Sequence, residues 1–199
     1  METENPEKPI SIQPRSKPLP SSTKIEVWDP YIRLFHWGLL LSFAVAYITG
    51  DGWRGFHLAS GYTALGLIAG RLLWGFFGTK YARFANFMAS PSTVAAYVRD
   101  VLRRRAARYL GHNPAGGAMI LVMLLLLTAV SVSGVLLTTD AFWGSEAMDL
   151  AHGALADITV FCIAVHVCGV FLTSASTGEN LVRSMITGRK RAPGVNDIG

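Results

Sequence analysis

Residues 115–137 read AGGAMILVMLLLLTAVSVSGVLL. This run of 23 residues has no charge. As a helix it would span about 35 Å, enough to cross the ~30 Å apolar core of a bilayer. It shows no period-two alternation, so a strand does not compete with the helix. Three further apolar runs lie outward from it. One, about 34–50, has no charge before its outer end; one, about 57–78, carries only Arg71; one, about 150–173, carries only Asp157. The expected fold class is therefore all-α. It is an integral membrane four-helix bundle, up-down-up-down, with two helical hairpins closed by the short connections 51–56 and 138–149.

The composition agrees. Of the 199 residues, 51% are hydrophobic and 16% are charged. Soluble domains carry about 25% charge. A disordered chain, a basic DNA-binding domain and a typical soluble enzyme are all excluded. The net charge of +5 is read as membrane orientation and not as nucleic-acid binding. Sixteen lysines and arginines fall in the N-terminal segment through Arg33, loop 79–115 and the C-terminal segment from Thr177; the two short loops hold Arg54 alone. The positive-inside rule then places both termini and the long loop in the cytoplasm. The outer loops carry Asp51, Asp140, Glu146 and Asp149, which would suit a basic partner.

Residues 1–23 are polar and proline-rich, and are expected to be a disordered or extended tail with no signal-peptide pattern. The four-helix membrane domain would occupy 24–191, followed by a tail, 192–199. In the long loop, Ser90-Pro91-Ser92 is a helix start. Val94, Tyr97, Val98, Val101 and Leu102 then recur at helical spacing among Arg99, Arg103, Arg104 and Arg108. This predicts a basic amphipathic helix over about 91–110, lying in the cytoplasmic membrane interface.

Cys162 and Cys168 lie in one apolar run, about 9 Å apart along a helix, too far for a disulfide. They read as packing residues. There is no Cys-x-x-Cys-His, hence no covalent haem attachment.

Histidine within a membrane span is costly and marks function. His36 falls at the cytoplasmic end of the first span and His57 at the outer end of the second. His152 lies near the outer end of the fourth, and His166 fourteen residues further in. Depth therefore pairs His57 with His152 and His36 with His166. Fourteen residues rise about 21 Å and return to within about 40° of the same direction, so His152 and His166 share a side. Two imidazoles make a poor closed zinc site, which takes four ligands. Haem brings four nitrogens and asks for two axial ligands. On the second helix, Gly61 and Ala64 continue the His57 face and leave room for a flat macrocycle. Gly153 and Gly169 flank the histidines of the fourth. On the first helix, Leu40, Phe43, Tyr47 and Gly50 should line the outer haem. Arg71 would sit at the depth of the inner haem and needs an anionic partner, either a propionate or a quinone oxygen. Snorkelling to the headgroups is the other reading. Arg33, one turn before His36, is a second propionate candidate. Asp157 points about 140° away from His152 and is expected to make a structural hydrogen bond, with Ser131 and Ser133 of the third helix at similar depth.

These residues resemble the bacterial cytochrome b561 group and the b-type cytochrome subunit of Ni/Fe-hydrogenases. The matching stretches are WDPYIRLFHW (28–37), HLASGYTALGL (57–67), RLLWGFFGTKYARF (71–84), RYLGHNPAGG (108–117), HVCGV (166–170) and ENLVRSMITGRKR (179–191). The resemblance implies a four-helix bundle in the bacterial inner (cytoplasmic) membrane with two b haems. Its ligands correspond to His36, His57, His152 and His166. His112 falls in the GHNP motif and is read as a helix-entry or quinone-side residue. Relatives carry a histidine shortly before ENL; here the stretch is TSASTG (173–178), so that role has no residue to fall on.

The function expected is transmembrane electron transfer between a periplasmic redox protein, either a c-type cytochrome or a hydrogenase-like dehydrogenase, and membrane quinone. Lipid is the surrounding partner, and no nucleic acid is expected. A stand-alone superoxide:quinone oxidoreductase is the alternative; the outer loops lack the cationic funnel it calls for. Metal-ion transport would need polar pore residues, which the first and third spans lack.

Overall fold

The computed structural model describes residues 24–195, 197 and 198. The expected N-terminal tail, 1–23, lies outside the described residues. The elements are β1 (Lys24–Glu26), α1 (Pro30–Ile48), α2 (Arg54–Phe77), α3 (Pro91–Leu102), α4 (Pro114–Leu136), α5 (Glu146–Thr177), α6 (Leu181–Thr187) and β2 (Arg189–Arg191). A single 3₁₀ turn, Phe84–Asn86, follows α2.

Local chemistry sets most of the helix starts. Asp29 caps α1 through Ile32 N at 3.0 Å, and Asn113 caps α4 through Gly116 N at 2.7 Å. Ser90 caps α3. Each cap is followed by a proline in the first turn, where its missing N–H costs nothing. α5 ends at Gly178 and α6 at Gly188, both with positive φ, the conformation that closes a helix without a Cβ clash.

Among the described residues, three helices are long and apolar enough to cross a membrane: α1 (mean hydropathy 1.4), α4 (2.6) and α5 (2.2). α2 has the length, at 24 residues, but its glycines and Arg54 and Arg71 dilute its apolar character. It packs on α1 on one side and α4 on the other. Leu39, Ala64, Ile68, Leu124 and Leu127 form the core between these three helices. α5 packs against α4 and adds nothing to that buried cluster. The helices thus run α1–α2–α4–α5 in space, with the α1–α5 side left open. Across it, the hydroxyl of Tyr47 on α1 donates to Asp157 on α5 at 2.9 Å.

The described residues are all-helical as expected, with one addition: β1 and β2 form a short antiparallel ribbon pairing Ile25 with Lys190. The ribbon ties the residues before α1 to those after α6, and Val27 and Trp28 continue it through bonds to Gly188 O. The amphipathic segment is helical over Pro91–Leu102, not to residue 110. Arg104 turns to φ 56° and closes the helix, with Arg104 N bonded to Val101 O at 3.0 Å and Arg105 N to Asp100 O at 2.8 Å. Arg108 therefore belongs to no solvated face. It is 6% exposed and pairs with Glu179 and Asp197, and it donates to Arg191 O at 2.7 Å. Beside it Leu110 N donates to Ile198 O and Ile198 N donates to Arg108 O, both at 2.9 Å. Lastly, Asp157 bonds Tyr47 and not the third-helix serines; Ser133 faces a different residue, described next.

Candidate functional site

α2 opens with His57 in its first turn, and α5 carries His152 two turns into its length. The two rings meet across the bundle, their centroids 6.0 Å apart and their planes at 77°. Each ring is fixed by its Nδ1. That of His57 lies 2.8 Å from Ala46 O, an acceptor only, so Nδ1 carries the proton. That of His152 lies 2.9 Å from Ser133 Oγ. Ser133 spends its own proton on Val130 O at 2.9 Å, so its oxygen accepts from His152. Both histidines therefore present an unprotonated Nε2, the tautomer a metal ligand requires. Gly134 permits the approach: a Cβ there would lie 3.1 Å from His152 Cε1.

Among the described residues, His36 and His166 make no ring contact of the kind that joins the first two, and the buried Nδ1 of His36 has no hydrogen-bond partner. A Cβ at Gly61, Gly153 or Gly169 would meet no atom within 4 Å, so the faces beside the histidines are open. Phe43 and Tyr47 stack at 6.1 Å on α1, where it fails to close on α5. Among the described residues no three or more His, Cys, Asp or Glu side chains converge as a cation cage would require. Paired imidazoles, free Nε2 atoms and flat open faces fit a group that brings its own equatorial ligands.

Arg71 is 2% exposed, so it does not snorkel. It donates to Ala82 O at 3.0 Å and lies over the Phe84 ring at 4.9 Å. Its Nη1 is buried and unpartnered. Arg33 bonds Ile186 O on α6, and its Nε is likewise buried and free. Each guanidinium thus keeps one donor for an acceptor the polypeptide does not supply. His112 sits between Trp28, tilted to it at 4.4 Å, and Phe87, edge-on to it at 4.9 Å. Its ring is pushed down to about 3, by desolvation first and then by the charges of Lys190 and Arg71, so it stays neutral. Lys190 donates to Gly111 O at 3.2 Å and stands over Trp28 at 5.0 Å. Burial draws it down to about 8, with Arg108 adding and Glu179 opposing.

Residues 27–188 match the profile of prokaryotic cytochrome b561. The chain belongs to that family. It is accordingly a membrane cytochrome whose class carries electrons across the bilayer on b-type haem. No match was found among curated proteins or solved structures.

The cytochrome's histidines were legible in its sequence; their orienting partners were not. Ser133 stands one position before Gly134, and that Ser-Gly step facing a histidine was the available signal. Nothing local told which side of an almost uniformly apolar α4 faced α5.

Proposed function

We propose that this cytochrome is a transmembrane electron conduit with two b haems, one held by His57 and His152 near the outer face and one by His36 and His166 near the inner. The observation that carries the reading is the His57–His152 pair, with both Nδ1 atoms tied and both Nε2 atoms free. Bound haem supplies the one-electron chemistry. The chain orients the imidazoles through Ala46 O and Ser133, excludes water with the α1–α2–α4 core, and offers the spare donor of Arg33 to a propionate. On this reading α2 is the fourth span, so both termini lie on one side, and the charge asymmetry of the loops favours the cytoplasmic side of a bacterial inner membrane.

Electrons would pass between a periplasmic dehydrogenase, hydrogenase or c-type cytochrome and membrane quinone. Arg71 and neutral His112 would receive the quinone at the inner side, Arg71 donating to its oxygen. Asp51, Asp140, Glu146 and Asp149 are all exposed, while Arg54 is turned onto the Trp143 ring at 5.2 Å. Such a face suits a cationic protein partner better than a small anion such as superoxide.

A reduced-minus-oxidised spectrum with a pyridine haemochrome count tests the reading. Two low-spin b haems per chain are expected, with His57→Ala and His36→Ala each losing a different one. A colourless protein would overturn it.

A further inference from the structure

Around α3 each residue steps about 100°, which divides the helix into four faces about a quarter turn apart. Val94, Tyr97 and Val101 make the first, and this face meets α4 and α5: Tyr97 is buried and the two valines half-buried. Val98 and Leu102 make the second. They are 42% and 68% exposed, an apolar strip with no protein against it. Arg99 and Arg103 make the third, and Thr93 and Asp100 the fourth. If the second face rests on the bilayer, the fourth faces water and the third points sideways, away from the bundle, at headgroup height. Arg104 and Arg105 extend that basic edge beyond the helix end, and all four arginines are exposed. Among the described residues none of the four makes a salt bridge; the pairs that exist belong to Arg108.

We propose that this edge is a binding surface for anionic phospholipid, with the phosphodiester taken by Arg99, Arg103, Arg104 and Arg105 and the acyl chains lying along Val98 and Leu102. Guanidinium is suited to it, because its planar fork meets two phosphate oxygens at once. Charge and apolarity occur side by side, which a headgroup with its tail matches and a free anion does not. The inference rests on the membrane reading of the fold and adds a lipid class to it.

The full-length protein in neutral detergent would be incubated with equimolar phosphatidylglycerol and phosphatidylcholine, and retained lipid measured by native mass spectrometry. Each cation near an anionic headgroup is worth roughly five-fold. Retention of phosphatidylglycerol at least about ten-fold above phosphatidylcholine is therefore expected, and R99Q/R103Q/R104Q/R105Q should lose that preference. Equal retention by the wild type, preference surviving in the variant, or a short RNA duplex displacing the lipid would each overturn the proposal. Val98→Trp in nanodiscs of brominated phosphatidylcholine separates the two levels. Quenching without lipid preference overturns the proposal and leaves the interfacial placement standing. Absence of quenching removes both.

Discussion

Ser133 on α4 accepts a hydrogen bond from Nδ1 of His152 on α5, across 2.9 Å. The bond joins two helices through a residue that is itself 6% exposed, and it fixes which nitrogen of the imidazole is left for a metal. Such outer partners tune a metal ligand, and their loss typically costs about 10–100-fold in affinity or activity. Ser133→Ala should therefore weaken outer-haem retention by about that factor and leave the inner haem untouched. Haem titration with spectra resolved for the two centres would check this. Equal loss of both haems would mean that Ser133 acts only through packing.

Arg108 joins Glu179 and Asp197, 71 and 89 residues away, at the junction of loop 103–113, the start of α6 and the C-terminal end. Removing one partner of a buried pair leaves a charge without compensation, at a cost of about 3–5 kcal/mol. Arg108→Gln should lower stability by that order and expose the end of the chain. Limited proteolysis after residue 191, alongside thermal unfolding in detergent, gives the readout.

His112 carries a pH prediction with a definite sign. Its folded pKa is about 3 against an ordinary 6.5. The unfolded chain therefore binds the proton first, and stability falls as pH drops below 6.5 toward 3. For one such group the loss between pH 6.5 and 5.5 is about 1 kcal/mol. His112→Gln should remove that slope while the wild type keeps it. Comparing thermal midpoints of the two proteins across this window, above the range where carboxylates titrate, measures the difference.

Two glycines should respond oppositely. A Cβ at Gly117 would sit 2.5 Å from the backbone oxygen of Phe87, which cannot move cheaply. Gly117→Ala should destabilise by about 1–3 kcal/mol. A Cβ at Gly61 meets nothing within 4 Å. Gly61→Leu should keep helix content by circular dichroism yet bind less haem, because the space it fills is the one proposed for the macrocycle. Normal haem content in that variant would take Gly61 out of the site.

The sequence alone determined where the long helices lie and at which positions along them four histidines fall. Apolar run length, Asp/Ser/Asn caps followed by proline, and charge asymmetry are local properties, and they survive without knowledge of neighbours. It also brought out the small residues beside the histidines, since helical spacing is enough to phase them. The tertiary structure decided the rest. α4 is apolar on nearly every side, so no periodicity could tell that Ser133 faces His152 while Asp157 turns to Tyr47. Helix α3 stops at Leu102, and Arg108 joins carboxylates far along the chain, because a buried guanidinium takes the partners that folding brings to it. The ribbon of β1 and β2 rests on the same principle. Three residues at each end have no strand signal of their own, and they pair because the helices between them deliver both ends to one place.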